Sequence, residues 1–192
     1  PESGKTRANI VIITKCHKEI NPMEFRILTK KMDLFRYRQL YFTKLNYGKL
    51  YPLSKIGKTY PLSCVNKDVH ILLLTGIASP EKMVKDLKVY NKHTSLLAFH
   101  DHHDFTAADL SMLKERFLKL PEKRRMIITT EKDAARLEHH PLLDEQLKPY
   151  IYVLPIEIAF LQNQAESFNS NISDYVRKNQ RNSRFSQAAH TF

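Results

Sequence analysis

The chain has 192 residues, 42% of them hydrophobic, and carries a formal net charge of +11 at pH 7. That is enough sequence for one substantial core, alone or with a small attachment, and the absence of any fixed internal period excludes a repeat protein. No stretch approaches the roughly 18 to 20 apolar residues needed to span a bilayer, and the opening PESGKTRANI lacks the apolar region of a signal peptide, so the chain is not expected to enter or cross a membrane by itself.

The segment NIVIITK, residues 9–15, reads as a buried strand. Asn21 and Pro22 then introduce an amphipathic helix with Phe25, Leu28 and Met32 towards one side. Residues 38–53, RQLYFTKLNYGKLYPL, alternate apolar and polar around Asn46 and Gly48, the pattern of a strand, a turn and a short extended or hairpin return. Gly57 and Pro61 mark residues 55–66 as a surface connection.

From Asp68 a stronger pattern begins. VHILLLTG is a strand, and Ser79 and Pro80 start a helix carrying Met83, Val84 and Leu87. HTSLLAF is the next strand, after which Thr106 caps a helix with Leu110, Leu113, Phe117 and Leu118. RMIITT, the helix EKDAARLEHH and the strand YIYVLPI complete the core. Continuous Val, Ile and Leu strands separated by helices must bury both faces, so the expected fold is α/β: a mostly parallel, Rossmann-like sheet with flanking helices and the small extended segment near 38–53. A last helix places Leu161, Phe168, Ile172, Tyr175 and Val176 at spacings near three and four, and RKNQRNSRFSQAAHTF reads as a frayed polar tail.

Two apolar runs discharge into polar clusters, where an α/β sheet presents its carboxyl edge. The first is HTSLLAFHDHHDF, ending in Asp101, His102, His103 and Asp104; the second is RRMIITTEKDAAR, ending in Thr129, Thr130, Glu131, Lys132, Asp133 and Arg136. An imidazole beside a carboxylate relays a proton near neutral pH. The same residues also serve as surface histidines with Asp104 as a helix cap. Acidic residues such as Glu131 and Asp133 equally suit a first helical turn, and Arg136 reaches Asp133 across three positions. Thr75, Gly76 and Ser79 either orient an anion at a helix start or form an ordinary cap. Thr14 and Lys15, at the end of the first strand, either approach a nucleotide or are a solvated strand end.

Neither GxxxxGK[ST] nor GxGxxG occurs, and the chain has 4 glycines, so any phosphate cradle comes from elsewhere. Cys16 and Cys64 have no neighbour at metal-ligand spacing and suit reduced thiols in the cytosol; no metal ligand is assigned. Basic clusters at Lys30 and Lys31, at residues 123–125 and at residues 177–184 fit nucleic acid, a phosphorylated substrate, an anionic membrane or simply a solvated face.

Taken in order, RANIVIITKC, YFTKLNYG, ILLLTGIASP, LLAFHDHHDFT and IITTEKDAARL resemble the C-terminal half of the tetraacyldisaccharide 4'-kinase family of lipid A synthesis, over roughly residues 1 to 160. The resemblance implies transfer of the γ-phosphoryl group of ATP, with Mg²⁺, to the 4'-hydroxyl of tetraacyldisaccharide 1-phosphate. It implies a peripheral enzyme on the cytoplasmic face of the bacterial inner membrane, drawn by its basic charge to the substrate phosphate and the anionic surface. It places the P-loop, the principal magnesium ligands and the catalytic aspartate in an N-terminal lobe that this sequence lacks, with residues 1–180 forming the C-terminal lobe and its hairpin and residues 181–192 a flexible polar tail; the fragment alone is then inactive. The family's DH motif falls on Asp101 and His102, with His102 supporting the catalytic aspartate and His103 as the other candidate. Thr130, Glu131, Lys132 and Asp133 line the nucleotide side. Two other classes stay open: a noncatalytic basic domain binding nucleic acid or an anionic membrane, and a structural Rossmann-like domain whose polar strand ends only cap helices.

Overall fold

The computed structural model of the chain describes residues 8–16, 20–32, 39–101 and 103–188. It forms two compact units, one drawn from Pro1–Asn46 with Ile158–Phe192 and the other from Tyr47–Glu157.

The second unit is built on a five-stranded sheet of β3 (Tyr51–Pro52), β4 (His70–Thr75), β5 (Thr94–Ala98), β6 (Arg125–Thr130) and β7 (Ile151–Leu154), in the order β3-β7-β6-β4-β5. β5, β4, β6 and β7 run parallel, and only the two-residue edge strand β3 is antiparallel. The crossovers are the helices α2 (Pro80–Tyr90), α3 (Ala107–Leu118) and α4 (Glu131–Leu137). This is the α/β sheet expected from unbroken apolar strands.

Period-two alternation sorts those strands between two cores. Ile71 and Leu73 of β4, with Met126 and Ile128 of β6, pack with Met83 and Leu87 of α2. Leu72, Leu74 and Ile127 point the other way, onto Leu110, Leu113 and Phe117 of α3 and Ala134 and Leu137 of α4. The chain therefore moves from β4 to β5 over one face and returns from β5 to β6 over the other. The reversal falls between β4 and β6, which are paired from His70 with Arg125 to Leu74 with Thr129. In open α/β sheets, that point opens a crevice at the carboxyl edge.

The first unit holds a three-stranded sheet ordered β1-β2-β8, from β1 (Ile10–Ile13), β2 (Gln39–Tyr47) and β8 (Ile156–Phe160), together with α1 (Pro22–Met32) and α5 (Ala165–Ala188). β1 and β2 are parallel. Asn21 and Glu24 cap α1 reciprocally: the Glu24 amide donates to Asn21 Oδ1 at 2.8 Å and the Asn21 amide to Glu24 Oε2 at 3.3 Å. Phe25, Leu28 and Met32 are its half-buried residues, as their spacing predicts, and the Phe25 ring lies 4.5 Å from that of Phe42. Tyr41 meets Phe160 and Phe168 edge-on, and its hydroxyl accepts from Asn171 Nδ2 at 2.6 Å.

Three expectations change in detail. Residues 39–53 are extended, but β2 and β3 do not form a hairpin with each other: β2 pairs with β1, and β3 with β7. The Gly48 amide donates to Pro155 O at 3.0 Å, and a Cβ on Gly48 would meet Pro155 Cβ at 3.0 Å, so the bend closes against a distant proline instead of its own return strand. Pro155 also divides the strand expected over YIYVLPI into β7 and β8, since proline cannot donate to a ladder. Finally, α5 runs on to Ala188 through sequence read as a tail, because nothing between residues 165 and 188 is a proline or glycine that would stop it.

Leu73 is 0% exposed whereas Val89, on the outer side of α2, is 81% exposed. In the full-length protein, Leu73→Ala is expected to cost about 2–5 kcal/mol in urea unfolding, and Val89→Ala less than about 0.5 kcal/mol; equal losses would contradict the two-core arrangement.

Candidate functional site

At the crevice between β4 and β6 the chain supplies its own occupant. Thr130 ends β6 and caps α4, accepting from the Asp133 amide at 3.2 Å. Asp133, 0% exposed, uses Oδ2 to accept from Thr130 Oγ1 at 2.7 Å, Thr75 Oγ1 at 3.1 Å and the Gly76 amide at 3.1 Å. Oδ1 has no hydrogen-bond partner among the described residues. One carboxyl group thus joins the end of β4 to the start of α4. Burying it costs several kcal/mol, offset by three donors and by its place in the first turn of a helix. The Gly76 amide, which the sequence offered to an anion, is consumed internally. Gly76 must also stay bare: a Cβ would lie 3.0 Å from His100 O and 3.2 Å from Asp133 Oδ1.

The polar turn after β5 stands beside this stitch. Its entry is set by the Phe99 amide donating to Thr75 O at 2.9 Å, and it closes when the His103 amide donates to His100 O at 3.2 Å. The His103 ring stacks on Phe99, with centroids 4.8 Å apart and planes 8° from parallel, while Nε2 lies 2.8 Å from Asp109 Oδ2. Asp109 also completes a capping box with Thr106, accepting from the Thr106 amide at 2.8 Å and from Oγ1 at 2.7 Å. Burial opposes ionisation of Asp109, yet the Thr106 and His103 hydrogen bonds together outweigh it and hold the carboxyl below its usual 3.8.

α4 holds the turn from its other side. Lys132 Nζ pairs with Asp101 Oδ1. Arg136 Nη1 donates to His103 O at 2.7 Å, and its Nε lies 4.0 Å from Asp104 Oδ1. His140 Nε2 donates to Phe105 O at 2.9 Å. The Arg136–Asp133 bridge read from helical spacing does not form, because Asp133 points into the sheet edge and Arg136 towards the turn.

The two sequence clusters are therefore one site, although about thirty residues separate them. Asp101, His103, Lys132 and Arg136 meet directly. Thr130 and Asp133 are buried beneath them, while Glu131 and Lys132 reach the surface. His102 lies outside the described residues. Beside Asp101 opens a groove of about 550 Å³, lined by Ile77, Ala78, Pro80, Ala98, Phe99 and His100. Thr14 and Lys15 sit in the other unit, in a groove of about 370 Å³ with Ile13, Cys16, Ile20 and Leu28. Lys15 has φ 58°, the left-handed region, and the Cys16 thiol donates to Ile13 O at 3.4 Å.

Asp109, His140 and the turn-holding use of Arg136 were not read from the sequence. The first carried a signal: TAAD at residues 106–109 has the Ser/Thr-x-x-acidic spacing of a cap, as TEKD has at 130–133. The other two contacts are to backbone carbonyls, which no side-chain motif announces.

Residues 1–177 match the family model of Tetraacyldisaccharide-1-P 4'-kinase. A tetraacyldisaccharide 4'-kinase of Phocaeicola vulgatus is 64% identical over 186 residues, 97% of this chain and 51% of that protein. One from Bacteroides thetaiotaomicron is 50% identical over 192 residues, 96% of this chain and 50% of that protein. A solved structure, the "apo" form of LpxK from Aquifex aeolicus in complex with ATP, is similar with a TM-score of 0.49 and 16% identity, over 91% of this chain and 44% of that one. The chain spans about half the length of the curated relatives it matches.

Two outcomes test the geometry. Asp133→Ala strands three buried donors and is expected to destabilise the protein by about 3–5 kcal/mol in urea unfolding; a loss below about 1 kcal/mol would show that water replaces the carboxyl. Asp109 ionises more readily folded than unfolded, so its stabilisation is complete above the usual 3.8 and is lost as pH falls through the lower folded value. The stability advantage of the wild type over Asp109→Asn should accordingly shrink on acidification below about pH 4, read from unfolding midpoints across pH.

Proposed function

The chain belongs to the tetraacyldisaccharide-1-P 4'-kinase family, and on that premise we propose that the whole protein phosphorylates the 4'-hydroxyl of tetraacyldisaccharide 1-phosphate with ATP and Mg²⁺. The observation that carries the reading furthest is the match of residues 1–177 to the family, beside which the polar ends of β5 and β6 meet at one sheet edge.

The crevice itself is a poor fit to ATP and magnesium. Its Gly76 amide and its Thr75 and Thr130 hydroxyls are all spent on Asp133. They make no phosphate cradle. We place the P-loop, the principal magnesium ligands and the catalytic aspartate in the part of the protein outside this chain, an N-terminal lobe that is its necessary partner. Bound there, ATP supplies the phosphoryl group: the 4'-oxygen bonds to the γ-phosphorus, the bond to the β–γ bridging oxygen breaks, and the hydroxyl proton passes to the aspartate.

The contribution of this chain is the set Asp101, His102 and His103. His102 orients the aspartate and tunes its affinity for the proton without attacking phosphate. His103, held by Phe99 and Asp109, is the other candidate for that support. Of the nucleotide-side residues, Glu131 and Lys132 reach outward to the ligand, while Thr130 and Asp133 fix the helix that carries them. We place no metal ligand in this chain. Residues 1–180 act as the C-terminal part of the kinase, with residues 181–192 as a polar end segment.

The +11 charge draws the protein to a phosphorylated lipid and an anionic surface. No described helix is long and apolar enough to cross a membrane, and we place the enzyme peripherally on the cytoplasmic face of the inner membrane. Neither the family nor its relatives support the nucleic-acid alternative.

Full-length protein is expected to phosphorylate the tetraacyldisaccharide with ATP, and this chain alone is not. His102→Ala should lower kcat by about 100- to 10,000-fold in protein that stays folded by circular dichroism. A folded, full-length wild type without lipid phosphorylation would overturn the proposal, and an unaffected His102→Ala would remove that residue from it.

A further inference from the structure

The imidazole of His103 is oriented by an acid from the helix that follows it. We infer that Asp109 is a positioning residue for the reaction, fixing both the plane and the tautomer of the His103 ring so that Nδ1 is the nitrogen the ring offers to the reacting groups; this rests on the kinase reading above, with His103 in the supporting role.

Two contacts define the ring. Phe99 stacks on its face, with centroids 4.8 Å apart and planes 8° from parallel, which fixes the plane but not rotation within it. Asp109 removes that freedom, because its Oδ2 lies 2.8 Å from Nε2. The ring is 26% and the carboxyl 14% exposed, so the bond is largely shielded from water and keeps its strength. Both partners stand on fixed bases. The Phe99 amide donates to Thr75 O at the end of β4, and Asp109 sits in the first turn of α3, whose Leu110 and Leu113 are buried in the core.

The same bond selects a tautomer. A carboxylate only accepts hydrogen bonds. Burial opposes ionisation of Asp109, but the bonds from Thr106 and His103 outweigh it and hold the carboxyl below its usual 3.8, so near neutral pH it is a carboxylate. Nε2 of the neutral imidazole must then carry the proton, and Nδ1 keeps its lone pair. Nδ1 has no hydrogen bond to any described residue. A lone pair there accepts from the protonated form of the catalytic aspartate, the form that exists once the 4'-hydroxyl has given up its proton; the opposite tautomer would favour the ionised form and weaken the base. The capping box of Thr106 with Asp109 is complete without the histidine, so the third donor on Oδ2 adds nothing that the helix start requires.

That separation supplies the test, in full-length protein. Thr106→Ala removes the cap and leaves the His103–Asp109 bond, whereas Asp109→Asn presents an amide that donates to Nε2 and admits the other tautomer. For Asp109→Asn, kcat should fall about 10- to 100-fold while KM for ATP and for the disaccharide stay within about twofold, and in a His103→Ala background the same change should cost nothing more. Thr106→Ala should keep kcat within about twofold in its folded fraction. In protein labelled with ¹⁵N at histidine, with the imidazole neutral and His103 assigned by its loss in His103→Ala, the ring proton should sit on Nε2 in the wild type and in Thr106→Ala, and shift towards Nδ1 in Asp109→Asn. An Asp109→Asn enzyme with wild-type kcat, equal losses in Asp109→Asn and Thr106→Ala, or a loss that adds fully to that of His103→Ala would overturn the inference. If the wild type proves not to be a lipid kinase, the kinase reading fails separately, and the nitrogen shifts still decide the positioning: a proton on Nδ1 in the wild type refutes it, and one held on Nε2 until Asp109 is replaced upholds it.

Discussion

A single buried carboxyl group holds the carboxyl edge of the five-stranded sheet together. Asp133 lies where the sheet reverses its winding, and it binds the last hydroxyl and the first post-strand amide of β4 to the threonine that caps α4. A buried polar group is expensive unless its partners are complete, and three donors converge on one of its oxygens. Because α4 is only seven residues long, it has little stability of its own, and its orientation is inherited from this junction and from the burial of Ala134 and Leu137.

That inheritance explains why the polar turn after β5 is well defined. Lys132, Arg136 and, just past the helix, His140 reach from the α4 segment to Asp101, His103 O and Phe105 O. Phe99 stacks on the face of the His103 ring, and Asp109 bonds its Nε2. Asp101, His103 and Phe105 are thus each held by contact although they lie outside helix and strand. A loop that closes on a neighbouring helix through backbone carbonyls keeps its side chains available.

The same junction also says what this edge is not. The usual ligand position of an open α/β sheet is the crevice at its switch point, where free amides receive a phosphate. Here the chain has placed an acid against the Gly76 amide, and Gly76 allows the approach by having no side chain. The open space lies to one side, along Ile77, Ala78, Pro80 and Phe99. This unit keeps the architecture of an open α/β sheet while the Gly76 amide at its switch point is taken by Asp133.

Much of the fold was legible in the chain because it depends on local order. Strands β4, β5, β6 and β7, the intervening helices, the caps at Asn21 and Thr106 and the two polar strand ends all follow from apolar periodicity and from cap residues a few positions away. Tertiary structure decided everything that joins distant segments. Asp133 chose Thr75 and Gly76 over Arg136, Gly48 turned onto Pro155 over a hairpin partner, and His103 found Asp109 and an arginine thirty-three residues away. The physical reason is the same in each case. Side-chain spacing within one helix or strand is fixed by its repeat, whereas the partner of a buried donor or a backbone carbonyl is fixed only when packed layers bring two edges together and exclude water from between them.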